Sequence, residues 1–210
     1  ENGLANLRIN KKKFIYLISP NNISTNFYKN LKLVLKTGKI GFFQLRLKKY
    51  SFKQKMLIGE KIRQICVKNN VKFLVNDDPI LAKKLGADGC HLGQKDTKIN
   101  EARKIMGNKI IGVTCHNSIK LAKYAIKEKA SYIAFGAFFS TKTKKVKYKA
   151  TTKILNKAKK LTKTPIVAIG GIDNKNYKKL LLNKANLLAI SGYVWNNKKF
   201  KPLEAIESLK

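Results

Sequence analysis

Asn76-Asp77-Asp78 ends one apolar run of the sequence, and His91-Leu92-Gly93-Gln94 leads on to Asp96 after the next. The chain has only 11 acidic residues against 46 lysines and arginines, so carboxylates at two successive positions of this kind are not filler. One or two carboxylates, completed by phosphate oxygens of a substrate, are the usual protein share of a Mg²⁺ site. Asp77 and Asp96 are the expected ligands; capping of the following helices or neutralisation of nearby lysines is the alternative use of the same groups. Gln44-Leu45-Arg46-Leu47-Lys48 sets an amide, a guanidinium and an ammonium on alternate positions, hence on one side of an extended strand. Arginine grips phosphate oxygens as a fork and lysine adds a mobile point charge, so a phosphate-rich anion suits them. A strand end that simply runs into solvent is the competing account.

Three further stretches point to anions. Gly136-Ala137-Phe138-Phe139-Ser140-Thr141-Lys142-Thr143-Lys144 offers hydroxyls and ammonium groups in one loop. Gly170-Gly171 and Ser191-Gly192 lack bulky side chains where backbone N–H groups could approach a phosphate.

The elements that must carry these residues follow a simple alternation. Short apolar, β-branched or aromatic runs are predicted as strands over Phe14–Ser19, Ile40–Arg46, Lys72–Asn76, Gly89–Leu92, Lys109–Thr114, Tyr132–Gly136, Ile166–Gly170 and Leu187–Ser191. Each precedes a helical segment, most plainly Phe52–Lys68 and Ser118–Lys129, with shorter ones at Asn174–Leu182 and Pro202–Leu209. Consecutive apolar positions such as Ile166-Val167-Ala168-Ile169 imply strands covered on both faces, as parallel strands are. Eight βα units in 210 residues give a single-domain (β/α)8 TIM barrel, with a core over about 14–195, a short N-terminal extension and a C-terminal helix. A doubly wound open sheet is the alternative. The first ten residues and the tail after Asn196 read as loosely attached. In a barrel, every candidate above falls at a strand's carboxyl end, where such enzymes keep their chemistry.

The formal charge of +35 suggests a polyanion partner, yet lysine recurs along nearly every helix and loop and no nucleic-acid-binding motif occurs. A generic solvated surface is therefore expected, with no specific nucleic acid. Arginine is scarce: only Arg8, Arg46, Arg63 and Arg103 occur. No apolar stretch is long enough for a membrane span, and the start of the chain lacks the apolar block of a secretory signal, so a cytoplasmic protein is expected. Cys66, Cys90 and Cys115 are odd in number and widely spaced, which predicts reduced, packed thiols. A homo-oligomer is compatible with all of this.

Taken in order, QLRLK at Gln44–Lys48, VNDD at Val75–Asp78, LGADGCHLGQKD at Leu85–Asp96, IIGVTCH at Ile110–His116, YIAFGAFFSTKTK at Tyr132–Lys144 and VAIGGI at Val167–Ile172 resemble the thiamine-phosphate synthase and thiazole-tautomerase superfamily. The resemblance covers about residues 14–195. It implies a Mg²⁺-dependent transferase that joins an aminopyrimidine-methyl diphosphate to a thiazole phosphate through a carbocation-like species. By match of motif it implies Arg46, Lys48, Asn76 and Lys144 on the diphosphate, with Arg46, Lys48 and Lys144 catalytic. Asp77 and Asp96 would bind the metal and Gln44 the aminopyrimidine, while Thr114 stands where the family usually has serine. Thr141 and Thr143 would meet the thiazole, and Gly171 with Ser191 and Gly192 its phosphate. The chain departs from the family's pattern at Leu47 (usually glutamate), Asp78, Ala137 and Ser140 (usually prolines), at Tyr148-Lys149-Ala150 and at Leu187 (usually glycine). A thiazole tautomerase using His116, or a non-catalytic barrel that binds a phosphorylated ligand, are the rival readings. For His91 and His116 a structural and a catalytic role both stand open.

Overall fold

A computed structural model describes residues 7–140 and 149–210. Eight parallel strands close on themselves in sequence order: β1 (Ile15–Ile18), β2 (Ile40–Leu45), β3 (Lys72–Asn76), β4 (Gly89–Leu92), β5 (Ile110–Thr114), β6 (Tyr132–Gly136), β7 (Ile166–Ile169) and β8 (Leu187–Ile190). Pairing of β1 with both β2 and β8 excludes the open sheet. The helices are α1 (Phe27–Leu35), α2 (Phe52–Lys68), α3 (Pro79–Lys84), α4 (Ile99–Met106), α5 (Ile119–Lys127), α6 (Thr152–Leu161), α7 (Tyr177–Leu182), α8 (Gly192–Trp195) and α9 (Pro202–Glu207).

Alternation along the strands divides the apolar residues into two cores. Ile15, Leu17, Phe43, Phe73, Ile111, Ile133 and their equivalents point outward and bury the inner faces of the helices. Tyr16, Ile18, Phe42, Leu74, Tyr132 and Leu187 fill the barrel itself. Room for the Tyr132 ring exists because Gly112 lies beneath it: a Cβ there would sit 1.8 Å from the ring.

Local chemistry sets the helix starts. Ser51 and Gln54 form a reciprocal capping box at α2, with bonds of 3.2 and 2.9 Å. Asp78 accepts from the Leu81 N–H at 3.0 Å to start α3, where Pro79 is preset for the first turn. Ser118 does the same for α5. Helix α7 begins at Tyr177 rather than Asn174, because the Asp173 carboxylate accepts from the backbone N–H groups of Lys175 and Asn176 and holds a turn there.

The carboxyl end departs from expectation. The tail after Asn196 is integral: Ala205, Ile206 and Leu209 are fully buried. The Leu209 carbonyl accepts from Lys39 Nζ at 3.1 Å, and the Tyr177 hydroxyl exchanges two bonds of 2.9 Å with the backbone of Lys210. Of the first ten residues, 1–6 lie outside the described residues, while Leu7 and Ile9 are partly buried against the inner core. The three cysteines are free and buried, as expected. Among the described residues no helix is long and apolar enough to cross a membrane.

Candidate active site

At the carboxyl end of β2, Gln44 and Arg46 face inward while Leu45 and Leu47 are buried outward in the helix-facing core. Leu47 therefore satisfies packing where the resembled family carries glutamate. Ser19, at the end of β1, is almost completely enclosed and clamps Arg46: it accepts from the Arg46 N–H at 2.7 Å and donates to its carbonyl at 3.2 Å. Ser191 donates in turn to the Ser19 carbonyl at 3.2 Å, so three adjacent strand ends hold the guanidinium's backbone fixed. Lys48 is exposed and free to swing.

The acidic pair comes together as the spacing suggested. Asp77 has a positive φ of 66°, unusual for a residue with a side chain, and its N–H donates to the His91 carbonyl at 2.8 Å. This strained conformation belongs to a residue whose carboxyl meets that of Asp96 closely enough to share a hydrogen bond. Burial, then the neighbouring Asp96, pushes the Asp77 carboxyl up to about 6, against the pull of Lys48 and Arg46. The bond from Asp77, followed by the Gly93 N–H at 2.7 Å, holds Asp96 below the ordinary carboxylate range. Below about pH 6 one proton is shared by the two carboxylates, and above it a divalent cation would be its natural replacement. Among the described residues no group of three or more His, Cys, Asp or Glu forms a complete metal cage, so the pair needs ligand oxygens to finish a coordination shell. Asp78, by contrast, is the helix cap. A cavity of about 380 Å³ opens beside the pair, with Lys48, Asn76 and Asp77 on its polar wall and Leu45, Leu47 and Ile105 on its apolar one.

Between these groups and β5 runs a chain of side-chain hydrogen bonds that sequence reasoning missed. Gln44 Nε2 donates to the Tyr16 hydroxyl at 2.7 Å, the Tyr16 and Tyr132 hydroxyls lie 2.6 Å apart, and Tyr132 lies 2.7 Å from His91 Nδ1. His91 Nε2 is 2.7 Å from Thr114 Oγ1. Burial raises both tyrosine hydroxyls and pushes His91 down to about 4, so the imidazole is neutral. The signal that could have found the chain is inward register: Tyr16 and Tyr132 occupy the same faces of their strands as other barrel-filling residues. Thr114 also offers its carbonyl to Gln94 Nε2 at 2.6 Å.

The far side of the mouth is built from loops. Gly170 and Gly171 have φ of 110° and 64°. A Cβ at Gly171 would lie 2.7 Å from the Ser140 carbonyl oxygen, so these glycines admit the loop after β6 as much as any ligand. Ser191 and Gly192 stand next to them, opening α8, which Trp195 anchors by donating to the Ile18 carbonyl at 2.8 Å. Thr141, Thr143 and Lys144 lie outside the described residues. His116, with φ of 50°, follows β5, and its backbone carbonyl accepts from the Gly136 N–H at 3.1 Å.

A family profile described as thiamine monophosphate synthase matches residues 15–194. The chain is 68% identical over 200 residues to a thiamine-phosphate synthase of Pelagibacter ubique, covering 95% of this chain and 97% of that one. It is 40% identical over 185 residues to a thiamine-phosphate synthase of Rhodospirillum centenum, covering 87% and 89% of the two chains. A solved thiamine phosphate pyrophosphorylase from Pyrococcus furiosus superposes with a TM-score of 0.83 at 28% identity, covering 95% of each chain.

Proposed function

The chain belongs to the thiamine monophosphate synthase family and is a transferase of that kind; from this premise we propose how its own residues do the work. Arg46, Lys48 and Asn76 bind the diphosphate of an aminopyrimidine-methyl donor. Gln44 and Thr114 meet its heterocycle. Gly171, Ser191 and Gly192 hold the phosphate of the thiazole acceptor, and Thr141, Thr143 and Lys144 complete the site from the loop after β6. The observation that carries this reading is the convergence of Arg46, Lys48, Asp77 and Asp96 into one electrostatic neighbourhood at the barrel mouth.

Asp77 and Asp96 would hold Mg²⁺, which when bound supplies positive charge to the phosphate oxygens. In the reaction, the bond between the methylene carbon and the bridging diphosphate oxygen breaks and its electron pair leaves with the diphosphate. The thiazole nitrogen lone pair then forms the new C–N bond, so atoms and charge balance without any proton transfer. Arg46 is suited to the first step because its backbone is clamped by Ser19, so its charge is aimed before the substrate arrives. Lys48, on a mobile stem, follows the leaving group. The neutral, hydrogen-bonded His91 offers no base, and none is required. The retained acidic pair and Arg46 would have no task in a thiazole isomerase, which handles no diphosphate.

Thiamine phosphate formation from the two substrates with Mg²⁺ tests the assignment. Arg46→Ala should lower kcat by about 10²–10³-fold, the size of a lost preorganised charge contact. Asp77→Ala should abolish the Mg²⁺ dependence along with most of the rate. Wild-type turnover that persists in a chelator, or an Arg46→Ala enzyme of unchanged rate, would overturn it.

A further inference from the structure

The buried chain from Gln44 to Thr114 has a direction, and the direction follows from counting donors. An amide nitrogen can only donate, so the Tyr16 oxygen accepts from Gln44. Tyr16 then gives its own proton to Tyr132, its other partner at 2.6 Å. Tyr132 has accepted, so its proton goes to His91 Nδ1, which must be bare. A neutral imidazole with a bare Nδ1 carries its proton on Nε2 and donates it to Thr114 Oγ1. The Thr114 hydroxyl proton is left to point elsewhere.

Only one other arrangement fills every link without leaving a buried tyrosine proton unpaired: turn the Gln44 amide over and each bond reverses, His91 becomes the Nδ1–H tautomer, and Thr114 spends its proton on the ring. The five side chains therefore switch together, and Tyr16 and Tyr132, 1% and 0% exposed, are closed to bulk solvent that could mix the two states.

We propose that this chain acts as a positioning device for substrate specificity, locking Gln44 with its carbonyl oxygen toward the barrel mouth and Thr114 as a hydroxyl donor. Tyr16, Tyr132 and His91 are positioning residues; they touch no substrate. A heterocycle that presents an amino group to Gln44 is accepted, whereas one that presents an oxo group meets oxygen with oxygen and cannot recruit a flipped amide without reversing the whole chain. This rests on the reading of Gln44 and Thr114 as contacts of the aminopyrimidine. The chain's direction itself does not depend on that reading.

Two measurements on the full-length protein test it. The sequence has two histidines, so ¹⁵N-histidine labelling gives two ring systems, and His116→Asn, which suits a left-handed backbone, assigns them. His91 should be a single Nε2–H tautomer in the ligand-free protein. An Nδ1–H tautomer, or a doubly protonated ring at neutral pH, overturns the direction whatever the enzyme turns over. The second measurement is the ratio of dissociation constants for the aminopyrimidine-methyl diphosphate and its oxo analogue with Mg²⁺. Tyr132→Phe cuts the chain and should lower the wild-type preference by about tenfold, the worth of one released hydrogen bond, while kcat at saturation changes less. If Tyr132→Phe does not fold, Tyr16→Phe severs the chain one link nearer Gln44 and is read by the same ratio. A folded variant with an unchanged ratio overturns the specificity role. Wild type that binds neither compound, with His91 in the stated tautomer, instead refutes the assignment of the pyrimidine site.

Discussion

Asp77 is held in a costly backbone conformation beside Asp96, and the proton the pair shares below about pH 6 would make metal binding at the proposed site pH-dependent. The Asp77 pKa is raised from 3.8 to about 6. A raised carboxyl contributes stability below its unfolded value, and that contribution is lost as pH rises through about 6, because the metal-free fold then holds two charges side by side. Mg²⁺ competes with the shared proton. Its apparent affinity should be flat above about pH 6 and fall about tenfold per pH unit below it, as one proton is displaced per ion. Calorimetric titration across that range checks the slope, and Asp77→Asn should remove both the slope and most of the affinity. The pair was legible in the sequence because carboxylates are scarce. What was not legible is which polar residue works and which one caps: Asp78 proves to be a helix cap. Likewise Arg46 lies at the barrel mouth within the field of Asp77, whereas Arg103 donates to the carbonyls of Gly107, Lys109 and Lys129 and to Ser131 Oγ. One guanidinium is proposed to serve a ligand and the other staples loops, and only folded neighbours separate them.

Elements enter the barrel under a repeated rule that no single segment reveals. The residue just before each of β4, β6 and β8 caps the strand preceding it: Asp88 accepts from the Phe73 N–H at 2.8 Å, Ser131 from Ile111 at 3.0 Å and Asn186 from Ile166 at 2.9 Å. In each case the backbone answers, with the N–H of Asp88, Ser131 and Asn186 donating to the carbonyls of Phe73, Ile111 and Ile166. These pairs fix register at the amino ends, and register decides which side chains reach the mouth. Asp88→Ala leaves a strand N–H without its partner and should cost about 1–3 kcal/mol in chemical denaturation, with activity at low temperature retained. A midpoint equal to wild type would show that the cap does not set register. The strands themselves were read to within a residue at either end, since alternation and apolar runs are local signals. The C-terminal tail was misread because Lys198, Lys199 and Lys201 mask the apolar residues beyond them. Ile206→Ala tests its place in the core: a fully buried isoleucine cut to alanine should cost about 2–5 kcal/mol, and a loose tail would cost nothing.

At the scale of the whole molecule, 210 residues carry a net charge of +35, and among the described residues only Glu60 and Arg63, at 3.0 Å, form an ion pair. The fold must therefore absorb its own repulsion, which is felt across distances that salt can screen. Raising NaCl from about 0.01 to 0.15 M shortens the screening length from about 30 to about 8 Å. Most proteins gain little from that change, but here like charges surround the barrel on every side, so Tm should rise by on the order of 5 °C, a shift of one to two kcal/mol for a chain of this size. A neutral osmolyte at equal osmolarity controls for solvent effects. The same screening should weaken adventitious binding to nucleic acid steeply, since that attraction is the sum of many exposed lysines. It should weaken the diphosphate much less, because Arg46 is set into the mouth and its orientation is fixed by Ser19 rather than by the general field. Measuring Tm, polyanion binding and substrate KM over one salt series separates the two uses of positive charge. A KM that climbs as steeply as the polyanion constant would mean that the surface lysines, and not the built site, draw the substrate in.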